Sequence, residues 1–370
     1  MTPVYLDYAA TAPPDAAAIE AMRAAAESWA NPSSVHRSGR VAHAMLDGAR
    51  EQIAALLDCQ PAGLIFTSGA TEAIGLALSC SGAASLLVSE VEHDAVRLQA
   101  RGATVIPVNA AGEVDLAALS ALLASVPAPA LVAVMQANNE TGVLQPLAEV
   151  AALVAAAGGK LLVDAVQGVG KLPLPVADYI AVSAHKCGGL PGTGILIVRD
   201  TGGLAASRAG GGQERGYRAG TENLPGIAGF AGALAERAGD AGWLERATGL
   251  RDRLEAQLGA AEIIGAGAPR LGTISCIRMA GVAAMTQVMA LDLAGFAVSA
   301  GAACSSGKVG ASHVLRAMGM SERAAGEAIR VSVGWRTTAA EIDAFAAAWN
   351  ALAARQRAKI AVDTLHEKAA

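Results

Sequence analysis

The sequence predicts an α/β fold: a large domain with a mainly parallel seven-stranded sheet between helices, and a smaller α+β domain. Two observations lead there. From about residue 15 to 200, helical stretches alternate with short aliphatic runs, the pattern of strands joined by helices that cover both faces of a sheet. The chain is also long, at 370 residues with 53% hydrophobic, which suits two domains better than one small one.

The elements follow in order. Asp15–Trp29 and Ser34–Leu57 read as helices, and Leu64–Thr67 as a buried strand leading into helix Thr71–Ser79. Strand Ser85–Val88, helix Ala95–Ala100, strand Thr104–Val108 and helix Asp115–Ala124 continue the alternation. Strand Ala130–Met135 and helix Leu147–Ala157 come next, then strands Lys160–Val163, Tyr179–Val182 and Gly194–Val198. The Gly/Arg-rich stretch Arg208–Gly220 is too polar and flexible for a core element. Helices Leu224–Ala238 and Trp243–Leu258 follow it. Beyond about 260 the chain reads as strand, helix, short strand, Gly-rich loop, helix, strand and a last helix from Ala339 to about Ala354. A polar, frayed tail is expected after that.

Composition excludes several classes. The apolar content excludes intrinsic disorder, and the 42 glycines have no three-residue period, which excludes collagen. Only 3% of residues are aromatic, so binding of nucleic acid by base stacking is not expected. The net charge of −5 gives no attraction for nucleic acid or an anionic membrane. The first residues lack the basic start and apolar core of a signal peptide. The best apolar run, Leu116–Ala137, is broken by Pro127 and Pro129, and carries Ser120 and Ser125. A soluble cytoplasmic protein is expected. The five cysteines are odd in number, far apart and free of Cys-x-x-Cys pairs, which disfavours a disulfide framework or a structural zinc site.

Four stretches carry chemistry. Ser68-Gly69-Ala70-Thr71-Glu72 opens a helix after a strand, where backbone N–H groups and the helix dipole favour an anion. By itself it is also an ordinary helix cap. Asp164 ends an aliphatic strand, at the sheet edge where α/β folds bind ligands, and Gln167 lies three residues on. Taken singly, they could equally be a turn residue and a solvated amide. Lys186, in Ser183-Ala184-His185-Lys186, follows another strand, and burial there would lower its pKa and make its amine nucleophilic. Together these three fit pyridoxal phosphate, which needs a lysine, an acid at its pyridine nitrogen and a phosphate cup. The fourth is Ser299–Lys308, a run of small residues around one thiol, Cys304. Exposure rather than packing decides thiol reactivity, so Cys304 is a candidate nucleophile, though taken singly it could equally be an incidental loop cysteine. Cys59, Cys80, Cys187 and Cys276 read as structural.

In order along the chain, these stretches resemble the cysteine desulfurases of the NifS/IscS type, in the class V aminotransferase family of fold-type I pyridoxal phosphate enzymes. The resemblance begins at Tyr5-Leu6-Asp7 with Ala9-Ala10-Thr11, and at Asn31-Pro32-Ser33-Ser34 with His36. It continues through Ser68–Glu72, Glu92-His93, Asn138–Gly142 with Gln145-Pro146, Asp164–Gln167 and Ser183–Lys186. It closes with Gly210–Gly216, Arg218, Gly220–Asn223, the Cys304 stretch, Ser312–Gly319 and Ile329–Gly334. The sequence departs from the family pattern at Tyr8, at Ala302 and over Cys187–Gly192.

The resemblance implies roles. Lys186 would hold the cofactor covalently and move the substrate's Cα proton. Asp164 would pair with the pyridine nitrogen, Gln167 with the phenolic oxygen, and His93 would stack on the ring and take part in proton transfer. Ala70, Thr71, Ser183 and His185 would hold the phosphate. Thr221 would reach the phosphate of the other subunit's site, which implies a homodimer. Arg330 would take the substrate carboxylate, helped by Asn139 and Asn31. Cys304 would carry away the sulfur of L-cysteine as a persulfide, leaving L-alanine, for a sulfur-acceptor protein such as an iron–sulfur scaffold. The resemblance also implies a large cofactor-binding domain over 14–245, with 1–13 and 246–370 forming a small domain that carries the catalytic cysteine.

Overall fold

The computed structural model describes residues 3–205, 210–301 and 311–369. In chain order its elements begin with β1 (Val4–Tyr5), α1 (Ala16–Glu27), α2 (Arg37–Leu56), β2 (Leu64–Thr67), α3 (Ala70–Cys80), β3 (Ser85–Ser89) and α4 (Asp94–Arg97). Next are β4 (Thr104–Ile106), α5 (Leu116–Ser125), β5 (Ala130–Ala133), α6 (Leu147–Ala156), β6 (Lys160–Asp164), β7 (Tyr179–Ser183), β8 (Gly194–Val198) and α7 (Leu224–Gly239). The rest comprises α8 (Trp243–Gln257), β9 (Glu262–Ile264), β10 (Ile274–Arg278), α9 (Ala284–Leu293), β11 (Phe296–Ala297), α10 (His313–Ala317), α11 (Glu322–Ala325), β12 (Ala328–Ser332) and α12 (Ala339–Ala369).

Seven strands form one sheet in the order β2-β8-β7-β6-β5-β3-β4. All its neighbours pair in parallel except β8, which is antiparallel to both β7 and β2. The fold is therefore α/β with a mainly parallel sheet. Its strands read as unbroken aliphatic runs because both faces are covered. One face packs under α2 and α7 through Leu46, Ile53, Val132, Val163, Ile180 and Phe230. The other packs under α3 through Ile65, Ile74, Leu131, Leu162 and Leu196. A second core, built on Leu6, Ile277, Ile329, Phe345 and Trp349, joins α8 and α12 to the antiparallel sheet β12-β10-β9. The N-terminal segment belongs to this second body, since β1 pairs with β11 and Asp7 bridges to Ser332.

Three local readings are corrected. The expected single strand after 260 is two, β9 and β10, paired antiparallel. The last helix does not stop near Ala354 but runs to Ala369. The Gly/Arg-rich stretch does contribute to the core through Glu214, which is 4% exposed. Its carboxylate accepts from the Phe66 N–H at 2.8 Å and pairs with Arg50 at 2.7 Å. A buried carboxylate is tolerable there because its oxygens are matched by donors.

Candidate active site

The site lies at the carboxyl ends of the parallel strands, where such sheets bind ligands. β6 ends at Asp164, β7 at Ser183, β3 runs into His93, β5 into Asn139, and β2 into the start of α3. These ends surround a cavity of about 390 Å³. Ala70, Thr71, His93, Asn139, Asp164, Gln167, Ser183, His185, Lys186 and Arg330 all line it. Residues more than 250 positions apart in sequence thus meet in one chamber. Asn31 and Thr221 are exposed and do not line this cavity. Cys304 lies outside the described residues; Gly301, three positions before it, lines the cavity wall.

At the floor, Asp164 is buried and accepts from the Val166 N–H at 2.9 Å. Burial raises its pKa, opposed by that hydrogen bond and by the charges of His93 and Lys186. Glu92 in turn feels the charge of Asp164. It is fully buried, accepts from the Met135 N–H at 2.6 Å and has its other oxygen unpartnered, so desolvation and Asp164 hold it well above the usual carboxylate range.

Lys186 sits on a single helical turn, Ala184–Lys186, directly after β7. Its Nζ donates to the carbonyls of Ala9 at 2.8 Å and Ala10 at 2.9 Å. Gln167 Nε2 also donates to the Ala9 carbonyl, at 3.0 Å. Beneath the lysine, Lys171 Nζ donates to the Lys186 carbonyl at 3.1 Å, and burial pulls the Lys171 ammonium down to about 8. Cys187 turns away from the cavity: its thiol is buried, points at the Ala184 carbonyl, and is pushed up to about 12 by desolvation.

At the phosphate-type end, Ser183 Oγ accepts from the Ala70 N–H at 2.8 Å, pinning the start of α3 against β7. Gly194 makes room for that turn: a Cβ there would stand 2.5 Å from Gly69 Cα and 2.7 Å from the Val182 carbonyl. His185 Nδ1 lies 3.0 Å from Thr11 Oγ1, and burial with the Lys186 charge pulls its imidazole down to about 4. His93 caps α4, its Nδ1 accepting from the Ala95 N–H at 3.1 Å, so the neutral ring carries its proton on Nε2. His313 of α10 fixes the same segment by donating from Nε2 to the Glu92 carbonyl at 3.0 Å.

Arg330 of β12 is 4% exposed, which sets aside a sheet-edge surface role. Its Nη1 donates to the Asn139 carbonyl at 2.9 Å and its Nη2 to Asp7 Oδ1 at 2.7 Å. Its Nε is buried and has no partner in the described structure. Arg330 lines the cavity, and a guanidinium at a cavity wall is a ready partner for a carboxylate.

The groups present fit pyridoxal phosphate: an amine, a buried carboxylate, an imidazole, and a helix start carrying hydroxyls. Sequence reasoning missed Asp7, Glu92, Lys171 and the Ala9 and Ala10 carbonyls. Asp7 and Glu92 stood inside quoted motifs but had been given no role.

The aminotransferase class-V family pattern matches residues 4–345. A cysteine desulfurase of Cereibacter sphaeroides is 41% identical, covering 93% of this chain and 94% of its own. The chain belongs to the aminotransferase class-V family, among its cysteine desulfurases. An IscS-like cysteine desulfurase of Mycobacterium tuberculosis is 38% identical over 92% of this chain and 93% of its own. In three dimensions, a NifS-like protein from Rickettsia africae superposes with a TM-score of 0.87 at 32% identity, covering 94% of this chain and 98% of that one. Enzymes of this family work with pyridoxal phosphate.

Proposed function

We propose that this enzyme takes sulfur from L-cysteine, releasing L-alanine and leaving a persulfide on Cys304, for delivery to an acceptor protein in iron–sulfur cluster assembly. The observation that carries this reading is the meeting of Lys186, Asp164, His93 and Arg330 around one cavity whose wall includes Gly301, just ahead of Cys304. The net change balances: the substrate C–S bond breaks, an S–S bond forms on Cys304, and the thiol proton is returned to the carbon skeleton.

Pyridoxal phosphate, held by Lys186, Asp164, Gln167, His93, Ala70, Thr71, Ser183 and His185, supplies an electron-withdrawing ring that eases loss of the Cα proton. The protein residues do the rest. Arg330 takes the substrate carboxylate at the cavity wall, with Asn139 beside it; Asn31, outside this cavity, would assist only from the face the partner subunit covers. The Lys186 amine carries the Cα proton, and His93 moves a proton at Nε2. With the group bound, Asp164 would pair with its ring nitrogen, an attraction that would work against the burial that raises the Asp164 pKa.

A homodimer completes the reading. Trp29 is 86% and Val35 88% exposed, beside Asn31, and a partner subunit would cover them. Thr221, absent from its own chain's cavity, would then serve the partner's phosphate. The same reading gives 14–245 the cofactor and gives 1–13 with 246–370 the thiol. Among the described residues no helix is long and apolar enough to cross a membrane. The four cysteines among the described residues are unpaired, which suits the reducing cytoplasm, where we place the enzyme.

The test is Cys304→Ala. The variant is expected to keep the cofactor's visible absorbance and to lose persulfide formation from L-cysteine. Sulfide production at the wild-type rate would overturn the proposal.

A further inference from the structure

The carboxylate-binding arginine is already holding a carboxylate. Asp7 Oδ1 lies 2.7 Å from Arg330 Nη2, and Asp7 itself lines the cavity. The pair is well enclosed, with the arginine side chain 5% and the aspartate side chain 20% exposed. Its position is set by backbone on both sides. Asp7 bridges in parallel to Ser332, and Arg330 exchanges backbone hydrogen bonds with Ser299 at 2.7 and 3.2 Å.

A guanidinium has five N–H donors. One goes to Asp7 and one to the Asn139 carbonyl, and the buried Nε has no partner among the described residues. Asp7 and Arg330 both line the cavity, so a substrate carboxylate can dock beside Asp7 on the terminal nitrogens of Arg330 without displacing it. The loaded site then holds two carboxylates on one cation, and their mutual repulsion weakens the hold on the newcomer. In the empty site the same aspartate compensates a buried charge that would otherwise be costly.

L-Cysteine and L-alanine present the same carboxylate to this arginine. A grip tuned for tight substrate binding would retain the product equally well, and uniform binding of that kind does not speed turnover. We propose that Asp7 is a positioning residue that orients Arg330 and weakens its hold on amino-acid carboxylates, so that L-alanine leaves. The inference rests on the reading of Arg330 as the carboxylate partner, and the experiment separates the two.

L-Alanine is titrated into the cofactor-loaded enzyme and its dissociation constant read by calorimetry, alongside KM and kcat for L-cysteine. Asp7→Asn keeps an oxygen acceptor for Nη2 and removes the charge. It is expected to bind L-alanine about fivefold tighter and to lower KM more than it changes kcat. Asp7→Glu, which restores the charge, is expected to return toward wild type. Asp7→Ser also removes the charge and carries the test if Asp7→Asn does not take up cofactor. Arg330→Gln is the control. If it weakens L-alanine binding while the neutral Asp7 variants bind no tighter than wild type, the inference is overturned and the role of Arg330 stands. If Arg330→Gln leaves L-alanine binding unchanged, the carboxylate reading of Arg330 falls and the inference falls with it.

Discussion

His185 shows how a single residue in this site couples chemistry to stability. Its imidazole sits at about 4 in the folded chain, against 6.5 when free, because burial and the Lys186 charge oppose protonation. As pH falls, the unfolded chain takes this proton first. The stability supplied by the neutral ring is therefore complete above about pH 6.5 and drains away between 6.5 and 4. His185→Gln is expected to flatten the loss of stability over that window, read as denaturant midpoints of the cofactor-free protein at pH 7.5, 5.5 and 4.5. A slope identical to wild type would mean that His185 does not titrate as described. Much at this scale was legible in the sequence. Asp164, Lys186, His93 and Arg330 are chemically distinctive residues set at strand ends within an ordered series of motifs. What escaped was different in kind. The acceptors on Lys186 Nζ are the Ala9 and Ala10 carbonyls, and a backbone carbonyl has no residue-type signature. Asp7 needed a partner 323 residues away before its side chain meant anything.

Among the elements, the strands were read closely because sheets covered on both faces leave continuous aliphatic runs, as in β2 and β8. The errors fell where tertiary packing overrides local composition. Glu214 lies in a stretch whose glycines and arginines suggest solvent, yet Arg50 and the Phe66 N–H draw it into the core. No local pattern announces a contact of 164 residues' separation. Gly194 is the most constrained point of β8, because its missing Cβ is the space that the Gly69 backbone fills. Gly194→Ala is expected to destabilise the fold by about 1–3 kcal/mol, since the neighbours to be displaced are backbone rather than side chain. It should also weaken cofactor affinity, because the start of α3 moves with the turn. Melting temperature and cofactor titration check both effects. A variant with wild-type values for both would show that the sheet edge can relax at no cost.

For the whole molecule, two separately packed cores share one chamber, and Trp29 and Val35 stand exposed on either side of Asn31 in the sequence. Val35→Glu places a charge in that surface. On the proposed homodimer, it is expected to shift the enzyme toward monomer in sedimentation and to reduce turnover in proportion, because Thr221 would then lose the partner site proposed for it. An unshifted dimer would remove this surface from the interface. The short segment from Asp7 to Ala12 has its own consequence at this scale. It touches Arg330 at one end of the chamber, Lys186 in the middle and His185 at the other end. Ribosomes add about 5–20 residues per second, so Asp7 waits on the order of 15–65 s for Arg330 to be made. Until then the chamber lacks its carboxylate end however well the large sheet has formed. On the proposed role of Arg330, a nascent chain therefore cannot begin releasing reactive sulfur before Arg330 has been made and has folded back onto Asp7.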